Sequence, residues 1–486
     1  MKKMAEDFCG NTQPRRRDAL VICLVAGFMT LLDVSIVNVA LPSMEHSLHL
    51  SAANVSWAVA GYALTFGLTL VPAGRLGDEY GRRRLFLIGL SLFAITAVVC
   101  GAAPNATVLV VGRLCRGVAA GLLAPQVIGL MQQMYTGQRR GKTFGYYGAT
   151  VGLSTAIGPL LGGVILQAFG VAEGWRFVFY LSIPVVVITL AFAFRVLPAD
   201  RQGGEHHKVD FVGALLLGLG VLAIMLPLLQ ASGAKARPRL WLFAVGAAWL
   251  VLFLLWERRL DSRGGHPLVN RKLLTVRSYA VGAMIAAAFY SGFTGIFLVI
   301  MMFLQQGLRY SALQAALSTL IFTVGSAVSA IISGRIVHRV GRRTVVVGSA
   351  VATLGLAVVA LLARDWTGPD TALVLAPALL VAGCGCGFVI SANQMLTLRE
   401  ITRANAGVAA GVYETGQRIG TALGTALASA LFFGELARTH GNYHAAVGLG
   451  LASPAALVGV AFLISLVDIL RPVRSSATAV EVEVAR

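Results

Sequence analysis

Five charged residues of this sequence lie inside long apolar runs, where they could bind protons or charged groups. Asp33 is in the first run, and the others are Arg113, Arg116, Glu414 and Arg418. A charge in the hydrocarbon core of a membrane is costly, so such residues usually face a bundle interior or an aqueous cavity on an ion or substrate pathway. These five residues are therefore the first candidates for a functional site.

Asp33 and Arg113 lie at similar depths along their apolar runs. If the two runs form neighbouring helices, Asp33 can pair with Arg113 or with Arg116. A buried carboxylate next to a dissociable arginine can bind a proton when it is unpaired and release it when the ion pair forms. This exchange would couple a proton to transport; the alternative is a static ion pair that only locks two helices together.

Glu414 and Arg418 have the i, i+4 spacing that places two side chains on one face of a helix. The rest of that face is made of small residues, namely Gly407, Gly411, Thr421 and Thr425. We predict Glu414 as a second protonation site. The alternative is an intrahelical ion pair that neutralises itself within an interface.

The composition predicts the elements that must position these residues. The chain has 486 residues, of which 57% are hydrophobic and only 13% charged, whereas soluble domains carry roughly 25% charged residues. Apolar runs long enough to cross a bilayer as helices fall near 19–41, 55–74, 85–103, 107–133, 144–167, 175–196, 211–230, 240–256, 279–304, 317–337, 345–363, 373–397, 408–432 and 447–470. We predict an all-α polytopic membrane protein with fourteen spans.

The basic residues predict the orientation of these spans. Of the 40 Lys and Arg residues, thirty fall in the loops and tails on the side of the N-terminus and seven in the opposite loops. Positively charged loops face the cytoplasm, so both termini are predicted to be cytoplasmic. Most of the basic residues that give the net charge of +19 lie in short loops without interleaved aromatics, which argues against a nucleic-acid partner.

A repeated basic turn divides the chain into two halves. The segment GRLGDEYGRRR runs from Gly74 to Arg84, and GRIVHRVGRR runs from Gly334 to Arg343. Internal repeats around a central site are typical of secondary transporters. We predict a six-span bundle in 1–200, two accessory spans with connectors in 201–274, and a second six-span bundle with a short tail in 275–486.

Several segments together resemble the major facilitator superfamily and its fourteen-span drug:proton antiporter branch. They are GRLGDEYGRRR, LLDVSIVNVALP (31–42), LVVGRLCRG (109–117), GLSTAIGPLLGG (152–163), WRFVFYLSIP (175–184) and GVAAGVYETGQRIGTALG (407–424). The resemblance implies two helix bundles that rock about a midplane cavity, and efflux driven by inward proton flow.

The resemblance also implies roles for individual residues. Asp33 would be the carboxylate for proton and substrate, and Arg113 the arginine tied to proton transfer. The cytoplasmic gate would contain Gly74, Asp78, Gly81, Arg82 and Arg83, and the antiporter motif Gly152, Gly158, Pro159, Gly162 and Gly163.

Two departures from the family pattern bear on function. Arg116 stands where Gln is common, which leaves three intramembrane cations against two acids and permits an anionic or neutral substrate. His338 occupies the place of Asp78 in the second repeat. A carboxylate latch on the cytoplasmic side is therefore predicted in the first half alone.

The residues expected to line the cavity are Arg116, Asn38, Tyr290, Phe293 and Asn393. Tyr290 and Phe293 belong to an aromatic stripe, for which packing or lipid contact is the alternative. We expect no metal, no cofactor other than the proton gradient, and no enzymatic activity. The predicted protein is a monomer in the bacterial inner membrane that exports lipophilic compounds; the alternatives are an exporter of an endogenous metabolite or self-made antibiotic, and a non-transporting sensor.

Overall fold

A computed structural model describes residues 12–50, 52–170, 172–198, 200, 210–230, 241–263, 273, 275–310, 312–366, 370–402 and 406–470. These residues form helices joined by short turns. The helices are α1 Thr12–Leu48, α2 Ala52–Tyr80, α3 Arg82–Gly101, α4 Ala106–Met134, α5 Gly137–Phe169, α6 Gly174–Tyr180, α7 Ser182–Val196, α8 Phe211–Gln230, α9 Trp241–Ser262, α10 Arg277–Met302, α11 Ala312–Val340, α12 Arg343–Asp365, α13 Thr371–Thr397, α14 Ala406–Arg438 and α15 Tyr443–Leu470. A π-helical turn, Phe303–Gly307, follows α10.

Within the described residues, twelve helices are long and apolar enough to cross a membrane. One of them is Gly174–Val196, which combines α6 and α7; the helix is interrupted there because Pro184 has no N–H to donate to the preceding turn. Helix α2 is not among the twelve, and α8 contributes only the shorter apolar segment Val212–Ile224. The multi-pass membrane protein is thus confirmed, while the count of fourteen spans and the side of the termini stay predictions.

Two groups of helices pack mainly among themselves. Helices α1 to α7 form the first bundle, with α4 packed against α2 and α3, and α5 packed against α1. Helices α10 to α15 form the second, with α13 packed against α11 and α12, and α14 against α10 and α15. The bundles meet where α2 contacts α14 and where α5 contacts α11. We call these two contacts the seams.

Glycine allows both seams to close tightly. A Cβ on Gly74 would collide with the carbonyl of Gly407 across the α2–α14 seam, and a Cβ on Gly334 would collide with the carbonyl of Gly141 across the α5–α11 seam. Small residues let two helix backbones approach closely within a membrane. The first glycine of each repeated turn therefore makes an equivalent backbone contact with the other half.

The accessory helices α8 and α9 pack against each other, and α8 rests on one seam. Helix α8 contacts both α2 and α14. Leu64 of α2 and Val221 of α8 form a small buried cluster that includes Ile419 of α14. Helix α8 therefore lies over the α2–α14 seam, and α9 packs against α8.

Helix α14 offers a matched test of this packing. A Cβ on Gly424 would collide with the carbonyl of Ser291 in α10, whereas a Cβ on Gly416 meets no atom within 4 Å. We expect Gly424→Ala to lower the free energy of unfolding by about 1–3 kcal/mol, because overpacking forces the two helices apart. Gly416→Ala should be neutral or slightly stabilising, because alanine favours a helix more than glycine does. Thermal unfolding in detergent compares the two variants, and equal losses would contradict this packing.

Candidate functional site

The buried carboxylate of Asp33 lies between two arginines of α4. Its Oδ2 accepts a hydrogen bond from Nη1 of Arg113 at 2.7 Å, and its Oδ1 accepts one from Nε of Arg116 at 2.7 Å. All three side chains are at most 5% exposed. Charge-assisted hydrogen bonds of this length are the strong ones. The structure thus brings together three of the charged residues singled out from the sequence.

The remaining donors of Arg116 reach two further helices. Its Nη1 donates to the carbonyl of Phe93 in α3 at 2.7 Å, and its Nη2 donates to Oγ of Ser182 in α7 at 3.1 Å. Its guanidinium also lies 3.8 Å from the centre of the Phe93 ring, a favourable cation–π arrangement. Arg116 therefore joins α1, α3, α4 and α7.

Arg113 is held in a similar way on the side of α2. Its Nε donates to the carbonyl of Ala58 at 2.9 Å, and its guanidinium lies 4.3 Å from the centre of the Tyr62 ring. The Tyr62 hydroxyl in turn donates to the carbonyl of Thr30 in α1. Helices α1, α2, α3, α4 and α7 thus all contribute to the surroundings of Asp33.

Glycines of the predicted antiporter motif set the approach of α5 to α1. A Cβ on Gly158 would collide with Ser35, and one on Gly162 would press against Ile36 and Val39. Ser35 donates its Oγ–H to the carbonyl of Ser154 at 3.0 Å. These contacts begin two residues after Asp33, so they help to fix its position.

The other motif residues have different surroundings. Gly152 faces Ser326 of α11, with 3.5 Å between a Cβ at this position and the serine Oγ. Pro159 lies inside α5. A Cβ on Gly163 would have no neighbour within 4 Å.

Glu414 and Arg418 share a face of α14 but turn to different partners. The Oε1 atom of Glu414 accepts a hydrogen bond of 3.5 Å from the Tyr147 hydroxyl of α5. The guanidinium of Arg418 lies 4.2 Å from the centre of the Phe66 ring in α2. Oε2 of Glu414 and Nε of Arg418 are buried without a hydrogen-bond partner among the described residues. Glu414 and Arg418 therefore do not form a salt bridge with each other.

Two of the residues expected to line the cavity belong to an aromatic cluster. Tyr290 and Phe293 of α10 pack with Phe289, and Phe293 also contacts Phe297 and Phe322. Phe293 is buried, whereas Tyr290 is partly exposed.

Asn393 is bonded within the second bundle. Its Nδ2 donates to the carbonyl of Gly282 at 2.8 Å, and its Oδ1 accepts from Nη1 of Arg342 at 3.1 Å. Through these two hydrogen bonds, Asn393 joins helices of the second bundle. The side chain of Asn38 lies outside the described part of the structure.

The predicted gate residue Asp78 joins the two bundles. Its carboxylate accepts hydrogen bonds from the backbone N–H groups of Gly407 and Val408, at 3.0–3.1 Å, and from Arg82, at 2.6 and 3.0 Å. The N–H groups belong to the first turn of α14, where the helix dipole favours a negative charge. Arg82 also donates to the carbonyl of Gly129 in α4 at 2.7 Å.

Burial raises the pKa of the Asp78 carboxyl, while the Arg82 guanidinium and the two N–H groups oppose that rise. The ionised form is present above this raised pKa and is lost as the pH falls through it. The contact between the bundles is therefore sensitive to acid on the side of the molecule where the repeated turns lie.

Gly81 and Arg83 complete the turn between α2 and α3. Gly81 has a φ of 102°, which a residue with a Cβ rarely adopts. The Asp200 carboxylate accepts hydrogen bonds from the backbone N–H groups of Arg83 and Arg84, at 2.9 and 3.1 Å, and so caps the start of α3. Asp200 was not predicted, because nothing in a loop residue so far along the chain signals this contact.

The second repeat uses its arginine differently. Nε of Arg342 lies 3.3 Å from the Asp468 carboxylate of α15, and burial lowers the pKa of Arg342 while Asp468 opposes that change. Nδ1 of His338, in the place of Asp78, has no hydrogen-bond partner among the described residues. In the second repeat the carboxylate is that of Asp468 at the end of α15, so this ion pair joins helices within the second bundle.

The fold and the buried charges are those of a multi-pass membrane protein built from two helix bundles, as secondary transporters are. The chain belongs to the Major Facilitator Superfamily, whose family model matches residues 23–425. It is therefore a membrane transporter rather than an enzyme. The described residues contain no group of three His, Cys, Asp or Glu that could hold a metal ion.

Two relatives from Streptomyces are similar over most of their length. A protein of Streptomyces coelicolor named "Probable actinorhodin transporter" is 34% identical, and the match covers 87% of this chain and 73% of that protein. The "Puromycin resistance protein pur8" of Streptomyces alboniger is 33% identical, over 85% of this chain and 81% of that protein.

Two solved structures share the fold at low sequence identity. The proton:xylose symporter XylE matches with a TM-score of 0.68 and 14% identity, covering 94% of this chain and 96% of that one. The human organic anion transporter MFSD10 matches with a TM-score of 0.66 and 15% identity, covering 93% of this chain and all of the other.

The contacts of Asp78 predict that its charge holds the bundles together on this side. We expect Asp78→Asn to weaken the closed arrangement by about 1.5–3 kcal/mol, the usual range for a hydrogen bond to a charged group. Spin labels on the exposed positions Arg84 and Arg399, in a background without native cysteines, should report a larger population of long distances. Glu79→Gln is the matched control, because Glu79 pairs with Arg75 at 2.8 Å. An unchanged distance distribution in Asp78→Asn would refute this role.

Proposed function

We propose that this chain is a proton-coupled antiporter that exports lipophilic or antimicrobial compounds across the bacterial inner membrane. The observation that carries the proposal is the pair of buried carboxylates, Asp33 between two arginines and Glu414 at the contact between bundles. The names of the relatives, which refer to an antibiotic transporter and to puromycin resistance, support export.

The two carboxylates have different parts in this mechanism. Asp33 keeps its negative charge while both arginines are bonded to it, so a proton reaches it only after one of the pairs has opened. Glu414 has one long hydrogen bond and one unpartnered oxygen. It therefore takes and gives up a proton with less rearrangement than Asp33.

The seams convert this exchange into alternating access. With both termini in the cytoplasm, Asp78 and the glycines of the seams close the cytoplasmic side, and the site exchanges protons and substrate with the outside. Opening towards the cytoplasm separates Gly74 from Gly407 and Gly141 from Gly334, and it breaks the contact of Asp78 with the start of α14. Tyr147 and Glu414 lie on opposite bundles, so the same movement changes the surroundings of Glu414.

A second function within transport is the export of a metabolite or antibiotic made by the cell itself. The relative named as an actinorhodin transporter favours this alternative. A compound panel that includes aromatic polyketides as well as synthetic dyes separates self-made products from a broad range of drugs.

Transport by purified protein in proteoliposomes tests the proposal. An imposed proton gradient should drive substrate uphill in wild type, and both Asp33→Asn and Glu414→Gln should reduce this transport at least about tenfold, as loss of a proton-transfer group does. Glu435→Gln is the matched control on α14, because Glu435 forms an ion pair with the exposed Arg438. Gradient-driven transport that survives in both variants would refute the assignment of the proton sites, and a gradient without effect in wild type would refute proton coupling.

A further inference from the structure

Glu414 and Arg418 of α14 each have a buried polar atom without a hydrogen-bond partner among the described residues, whereas Asp33, Arg113 and Arg116 are joined in ion pairs. Oε2 of Glu414 and Nε of Arg418 make no hydrogen bond within the described residues, and Glu414 is only 4% exposed. A buried donor or acceptor without a partner destabilises the protein, and the cost is larger when the group is charged. These atoms are therefore available to a molecule that offers each of them a partner.

Aromatic side chains from both bundles surround the two charges. Phe66 of α2 lies against Arg418, and Tyr147 of α5 contacts Glu414. Tyr290 of α10 lies close enough to both charges to interact with them electrostatically. Such rings suit a flat aromatic molecule, which can stack on them with offset or edge-to-face geometry.

The spacing of the charges sets the polarity that the ligand requires. Residues four apart on a helix are separated by about 6 Å along its axis. The carboxylate accepts hydrogen bonds and the guanidinium only donates them. A purely cationic ligand would be repelled by Arg418, and a purely anionic one by Glu414, whereas a molecule with both groups pairs with both residues.

The charges of the first bundle do not make the site more favourable for a purely cationic ligand. Asp33 neutralises only one of Arg113 and Arg116, so the ionic centre of that bundle keeps one positive charge. This charge adds to that of Arg418 and favours a ligand with an anionic oxygen on the side of the first bundle. The N–H donor of the ligand then faces Glu414.

We propose that Glu414 and Arg418 form a recognition site for amphoteric aromatic compounds, which carry an N–H donor or amine and an anionic oxygen on one aromatic scaffold. The inference rests on the proposed function, since it places the substrate between the bundles. An amine on Glu414 occupies the oxygens that would otherwise bind a proton, so substrate and proton compete for one carboxylate. This competition is what exchange of the two in opposite directions requires.

Three xanthene dyes on one scaffold provide the test. Unsubstituted rhodamine has N–H groups and a free carboxylate, its methyl ester keeps the N–H groups without the carboxylate, and fluorescein has the carboxylate without the N–H groups. Equilibrium binding to purified full-length protein in detergent is measured by fluorescence anisotropy. We expect rhodamine to bind about tenfold more tightly than either other dye, as one charge-assisted hydrogen bond implies.

Substitutions assign each preference to one residue. Arg418→Gln should abolish the preference for rhodamine over its methyl ester, and Glu414→Gln should abolish the preference for rhodamine over fluorescein. Arg438→Gln and Glu435→Gln, an ion pair at the end of the same helix, should leave both preferences unchanged. Size-exclusion chromatography and thermal unfolding verify that each variant is folded.

Equal affinity of wild type for the three dyes would overturn the proposal, as would preferences that persist in both site variants. Tightest binding of fluorescein would also overturn it, since the site would then select anions. Transport measurements separate this result from the proposed function. Selective binding without gradient-driven export would refute proton-coupled export and leave the recognition site in place. Gradient-driven export without selective binding would refute the recognition site and leave proton-coupled export in place.

Discussion

The structure depends on how charge inside the membrane is bound, and in the first bundle the carboxylate of Asp33 pairs with two arginines and neutralises one of them. One carboxylate holds two arginines, and these arginines bind carbonyls of Ala58 and Phe93 on neighbouring helices. Removing one partner from a buried ion pair leaves an uncompensated charge, which costs several kcal/mol. The first bundle is therefore joined around an ionic centre and is suited to move as one body.

The contact between the bundles follows a different principle, because glycine backbones and one carboxylate close it. Gly74 meets Gly407 and Gly141 meets Gly334, which gives the two seams the same steric basis. Within the described residues, a carboxylate hydrogen-bonded to backbone N–H groups is found at the α2–α14 seam alone, where Asp78 contacts the first turn of α14. The seams are thus alike in packing and unlike in charge, so acid or substitution at position 78 affects one seam alone.

Much of the fold followed from the sequence, because apolar runs and repeated motifs are local signals. The helical membrane fold and the family are confirmed, and equal depth along two helices was enough to predict that Asp33 meets Arg113. Long-range contacts could not be predicted in this way. The i, i+4 spacing of Glu414 and Arg418 gives a shared face, but the choice of Tyr147 and Phe66 as their partners depends on how the bundles meet.

Release of protons on substrate binding shows directly whether substrate and proton compete for Glu414, because it measures the exchange itself on the purified protein. Rhodamine is added to detergent-solubilised transporter in weakly buffered solution with a pH indicator. The pH is one at which a fraction of the transporter molecules is protonated. We expect protons to be released in wild type and Glu414→Gln to abolish the release. Proton uptake, no change in wild type, or undiminished release in the variant would contradict this expectation.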